Sequence, residues 1–224
     1  MEKHFNGSEL LRDMVIGVSD GLTVPFALAA GLSGTVDNVE IVITAGLAEI
    51  AAGAIAMGLG GYMAGTTEVQ HYEAERKREL YEIDHFYDVE IRETKEAFAE
   101  YGLSDELQTT IAHEIAKDKE KWVDFMMRYE LGLEKPDANR ARKSAFNIGL
   151  SYVFGGLIPL SPYFLASSVH EGFVWSCALT LASLFIFGYL KSRAIGQPPI
   201  WGAVKVAAIG AIAAAAAYGI ASLF

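Results

Sequence analysis

Three groups of side chains in the 224-residue sequence could do chemistry, and each would act on a cation. Glu79, Glu82, Glu90 and Glu93 fall within an arc of about 80° when successive residues advance 100° around a helix. Phe86 shares that face, and Glu75 and Glu100 extend it. Carboxylates stacked on one helix face repel by a few tenths of a kcal/mol per neighbouring pair, and a divalent cation would compensate. A solvated acidic face is the alternative that the arithmetic leaves open. Met126, Met127 and Glu130 come within one turn of a short amphipathic segment that also carries Trp122 and Phe125. Oxygen ligands alone suit calcium or magnesium, whereas added thioether sulfur favours a first-row transition metal, and Fe²⁺ fits that mixture. Gap-filling in a small helical core competes as the reading of the methionine pair.

The third group lies in apolar surroundings. Asp20 and Glu49 are expensive residues inside a membrane helix and read as functional by default. Pro25, five residues after Asp20, lacks an N–H and is expected to disturb the helix there. Met57 follows Glu49 by about two turns, so both can border one passage, and carboxylates in that passage could exchange protons. The combination suggests an antiporter, a secondary active transporter with no enzyme activity. Glu82 and His85 form one Glu-x-x-His pair, but no second copy completes a di-iron site, which disfavours an iron-oxidising protein. His4, His71 and His113 occur singly and receive no role.

The elements that must position these groups follow from composition. The chain is 52% hydrophobic and 21% charged, with mean hydropathy +0.25 and a formal charge of −10. Residues 66–141 hold 20 acidic and 11 basic side chains, against 8 and 7 in the rest. That distribution describes a membrane protein with a polar insert, and its acidity argues against a phosphate-binding surface and hence against a nucleic-acid partner. The single cysteine, Cys177, excludes a disulfide framework, and the N-terminus shows no signal-peptide pattern. Five stretches reach the roughly 20 apolar residues that a bilayer requires: 14–34, 41–65, 145–167, 172–190 and 200–224. Basic residues gather at one set of ends, namely Lys3, Arg12, the central block, Arg142, Lys143, Lys191 and Arg193, while the loops 33–40 and 165–171 have none. The positive-inside rule then puts the N-terminus and central block in the cytoplasm. Gly- and Ala-rich spans predict close helix packing, within a bundle or a dimer.

The resulting fold class is all-α: a polytopic membrane protein with five transmembrane helices and a three-helix cytoplasmic metal-binding domain. Its expected divisions are 1–65 (N-terminal segment and the first two spans), 66–141 (metal-binding domain) and 142–224 (the last three spans). One helix is expected to run unbroken from the second span to Gly102, a second to begin after Ser104 as N-cap, and a third to end near Gly132.

The stretches DGLTVPFALAAGLSG at 20–34, AGLAEIAAGAIAMGLGGYMA at 45–64, WVDFMMRYELGLEKPD at 122–137 and GGLIPLSPYFL at 155–165 closely resemble the vacuolar iron transporter family and its bacterial relatives. The resemblance spans essentially the whole chain. It implies a homodimer that moves ferrous iron out of the cytosol in exchange for protons, in the vacuolar membrane of a eukaryote or the inner membrane of a bacterium. It also implies Glu79, Glu82, Glu90, Glu93, Met126, Met127 and Glu130 as metal ligands, and Asp20, Glu49 and Met57 as translocation-path residues. Carboxylate and thioether donors do not separate Fe²⁺ from Mn²⁺, Co²⁺ or Zn²⁺, so a manganese or broad divalent exporter is the alternative. A membrane-tethered iron-oxidising or storage protein is a more distant one.

Overall fold

The computed structural model describes residues 7–223, and among them every regular element is helical. Lys3, His4 and Phe224 lie outside the described residues. Eight α-helices follow one another: α1 (Gly7–Ser33), α2 (Val39–His85), α3 (Tyr87–Ala99), α4 (Asp105–Ile115), α5 (Lys119–Tyr129), α6 (Arg140–Leu160), α7 (Val169–Ala194) and α8 (Pro199–Ala221). A 3-10 turn, Ser161–Phe164, follows α6. Among the described residues five helical segments are long and apolar enough to cross a membrane, as the hydropathy pattern predicts: Glu9–Ser33, Val39–His85, Arg140–Phe164, Val169–Ala194 and Pro199–Ala221. At 1.5 Å per residue the 47 residues of α2 extend about 70 Å, far more than a hydrocarbon core needs. Its apolar first half is the part with the composition of a span.

The chain divides into two compact units, one comprising residues up to Met63 together with Ala141 onward, the other Ala64–Arg140. In the first, small residues let backbones meet where lipid gives no hydrophobic drive for association. A Cβ at Gly17 would stand 2.4 Å from the Ile148 carbonyl oxygen, and one at Gly188 2.8 Å from the Gly202 oxygen. These positions weld α1 to α6 and α7 to α8. Pro25 does not break α1, which continues through it to Ser33. The third span is shorter as α-helix than expected. Pro162 sits in the first turn of the 3-10 segment that closes it, and the Ser176 hydroxyl donates to the Pro159 carbonyl at 2.7 Å.

The second unit departs from the expected three-helix plan. The long helix breaks at Phe86, whose backbone leaves helical geometry (φ −130°, ψ 36°) and becomes the N-cap of α3. No proline or glycine announces the break. Tertiary burial makes it, because Ile83 and Ile91 both enter one core with Tyr72, Ala112, Trp122, Val123, Met126 and Met127. On a straight helix those two isoleucines would stand about 12 Å apart along the axis. The Tyr87 ring meets Trp122 edge-on at 5.2 Å, and Asp88 and Glu90 lie in the first turn of α3, where the helix dipole favours them. Further on, Gly102 (φ +74°) and Gly132 (φ +63°) occupy the left-handed region that favours glycine. Ser104 holds the N-cap position of α4 without a side-chain bond, whereas Asp118 caps α5 through the Lys121 N–H at 3.3 Å.

Candidate metal centre

The break at Phe86 changes how the carboxylates meet. On an unbroken helix Glu79 and Glu90 share a face but stand about 16 Å apart along the axis, too far for one ion. With α3 redirected, one carboxylate oxygen from each of Glu79, Glu90 and Glu130 lies within 4.8 Å of the others. The expectation of a strip along one straight helix is therefore corrected to a cluster across a bend, with the C-cap residue of α5 as its third member. Glu82 and Glu93 are close enough to act on the cluster electrostatically.

Burial sets the energetics of this cluster. Glu79 is 1% exposed and Glu90 3%. Neither Glu79 oxygen, nor Oε2 of Glu90, accepts a hydrogen bond from any described residue. Arg78 is the cation beside them: it pairs with Glu75 at 2.8 Å and stands 3.7 Å from both Glu79 and Glu82. Desolvation, and then repulsion from Glu130 and Glu82, pushes the Glu79 carboxyl up to about 7 against the partial relief of Arg78. Glu90 also rises to about 7, through desolvation first and then through Glu79 and Glu93. Glu130 is raised by desolvation and by Glu93 and Glu82. Buried carboxylates without donors cost several kcal/mol unless they are protonated or neutralised by a cation. Two buried carboxylates of this kind, converging with the exposed Glu130, can do what hard-ligand sites do, which is to replace part of a divalent ion's water shell.

Other members of the sequence-derived set have mixed surroundings. Met126 and Met127 are each 1% exposed and belong to the unit's apolar core. Trp122 Nε1–H donates to the Thr94 hydroxyl at 2.8 Å, and that hydroxyl donates to the Glu90 carbonyl at 2.7 Å, with Met126 Sδ 3.3 Å away. This chain of contacts fixes the turn that bears Glu90. His85 bonds the Tyr81 carbonyl at 2.8 Å through Nδ1 and stacks on the Tyr81 ring at 3.9 Å.

In the apolar unit Asp20, Glu49 and Met57 are each half-buried. Two residues there escape the sequence reading. Asp13, two turns before Asp20 on α1, is 1% exposed and engaged in a polar interaction; its i, i+7 spacing to Asp20 was the available signal. Tyr152 is 2% exposed and donates its hydroxyl to Glu49 Oε1. A tyrosine inside a Gly-rich span needs a partner for its O–H, which is the signal that could have found it.

Five apolar crossing segments and a separate acidic unit define an all-helical, multi-span membrane protein. Within that class the chain belongs to the VIT family, which residues 11–222 match. It is similar to vacuolar iron transporter 1 of Arabidopsis thaliana, 52% identical over 222 residues covering 99% of this chain and 89% of the relative. It is 51% identical over 220 residues to vacuolar iron transporter 1 of Tulipa gesneriana, covering 98% and 89%. Protein CCC1 of Saccharomyces cerevisiae is 39% identical over 217 residues, covering 93% and 67%.

Proposed function

We propose that the chain moves ferrous iron out of the cytosol across a membrane in exchange for protons, as a homodimer in the vacuolar membrane or, in a bacterium, the inner membrane. The acidic Ala64–Arg140 unit faces the cytosol and captures Fe²⁺. Glu79, Glu90 and Glu130 bind the ion first, while Glu82, Glu93, Met126 and Met127 complete or tune the site. Asp20, Glu49 and Met57 then carry the ion through the bilayer, replacing part of its hydration shell, and protons arriving at the carboxylates from the acidic side release it. Iron as cargo is supported by the names of the plant relatives, at 51–52% identity over nearly the full chain.

The observation that carries the reading is the convergence of Glu79, Glu90 and Glu130 with buried oxygens on Glu79 and Glu90 that no described residue satisfies. A solvated acidic face does not bury its charges. The test is Fe²⁺ uptake into proteoliposomes with an acidic interior: Asp20→Ala is expected to abolish uptake, and retained uptake would move the path elsewhere. The same donors admit Mn²⁺, Co²⁺ and Zn²⁺, and competition against Fe²⁺ in that assay ranks them.

A further inference from the structure

We propose that Tyr152 is a positioning residue for Glu49: its hydroxyl holds one carboxylate oxygen so that the other is presented to the cation. The inference rests on Glu49 being part of the translocation path. Tyr152 is 2% exposed, and its hydroxyl donates to Glu49 Oε1. Glu49 Oε2 is buried and accepts no hydrogen bond from the described residues. The carboxylate is thus satisfied on one side and open on the other. A charged acceptor in a low-dielectric site gains a strong hydrogen bond from a neutral O–H, and a fixed rotamer spares the ion the cost of ordering its ligand.

The seating of the ring makes this a built arrangement. Gly53 lies one turn beyond Glu49 on α2, in the row that continues to Met57. A Cβ there would stand 2.4 Å from the Tyr152 hydroxyl oxygen and 2.5 Å from Cζ. Only a residue without a side chain lets the ring lie against α2 at this turn. On the other side, a Cβ at Gly21, the residue after Asp20, would meet the Tyr152 carbonyl oxygen at 2.4 Å. Tyr152 is therefore gripped between the two turns that carry the membrane acids, and its hydroxyl reaches only one of them by hydrogen bond.

The experiment measures initial Fe²⁺ uptake against Fe²⁺ concentration in anaerobic proteoliposomes, for the full chain and for Tyr152→Phe, Gly53→Ala and Glu49→Gln. Tyr152→Phe is expected to raise the half-saturating Fe²⁺ concentration about tenfold, the size of one charge-assisted hydrogen bond, while the maximal rate stays within about twofold. A merely structural tyrosine would lower the amount of active protein, and so the maximal rate, without moving half-saturation. Gly53→Ala keeps every hydroxyl but displaces the ring, and it is expected to shift half-saturation in the same direction. Wild-type half-saturation in either variant, with Glu49→Gln inactive, overturns the positioning role and leaves the transport reading standing. Full uptake by Glu49→Gln removes Glu49 from the path and overturns both the path assignment and this inference.

Discussion

The acids of the polar unit and those of the apolar unit solve opposite problems. Glu79, Glu90 and Glu130 are drawn together across a bend until one oxygen from each lies within 4.8 Å of the others, and among the described residues Glu79 has no hydrogen-bond donor. In the apolar unit, Asp20 and Glu49 sit on separate continuous helices, and Glu49 is given a tyrosine. Crowded carboxylates hold protons or a cation and little else, which suits capture. A lone carboxylate held by a tyrosine offers the ion one oriented oxygen, fewer than the cluster brings together, which suits passage. The contrast teaches that affinity for a cation is set by how many unsatisfied oxygens a fold brings together, more than by how many acids the sequence contains.

That contrast can be broken most decisively at the cluster. Glu79→Ala combined with Glu90→Ala in the full-length protein should weaken divalent-metal binding on the order of 100-fold, ~2.7 kcal/mol, by titration calorimetry with Mn²⁺ or Co²⁺. Unchanged affinity would return the cluster to a mere acidic surface. Next in size is a pH effect. Glu79 and Glu90 keep their protons up to about 7 in the folded protein but only to about 4.5 when unfolded, so the metal-free fold binds more protons than the unfolded chain. Its stability should therefore fall as pH rises from about 4.5 through 7. The expected sign is a lower thermal midpoint at about pH 8 than at about pH 5.5 without metal, by several degrees, with the loss reversed by a divalent ion. A midpoint that rises with pH in the metal-free protein would contradict it. The smallest expected effect sharpens the electrostatics: Arg78→Gln removes the cation beside Glu75, Glu79 and Glu82 and should tighten metal binding by a few-fold, about 1 kcal/mol or less for a half-exposed charge. Weaker binding in that variant would mean that Arg78 organises the site instead of competing with the ion.

Much of the architecture is legible in the sequence, because a crossing helix announces itself through twenty apolar residues and nothing else in the chain imitates that. The glycines at 102 and 132 mark helix ends through their left-handed backbone. The bend at Phe86 is not legible. It contains no helix breaker, and its cause is the shared burial of Ile83 and Ile91 against Trp122, a residue far along the chain. Helical spacing puts the carboxylates on one face of a straight helix, yet the geometry that joins Glu79 to Glu90 exists because the helix is not straight. Glu130 stands out in the sequence by its proximity to Met126 and Met127, which themselves sit in the apolar core. Tyr152 stayed hidden because its partner, Glu49, belongs to a different span, and spacing within one helix says nothing about neighbours across helices.

The redirected helix has a kinetic consequence. Glu79 and Glu90 are near neighbours along the backbone, so closing the loop between them costs little chain entropy, but the bend that joins them needs α5 packed against Ile83 and Ile91. Glu130 arrives only when α5 docks against the shared core, a contact of long sequence separation that forms late in a small helical domain. Convergence of the three carboxylates then depends on the last helix reaching its place, and an acidic unit without α5 docked would leave Glu79, Glu90 and Glu130 apart.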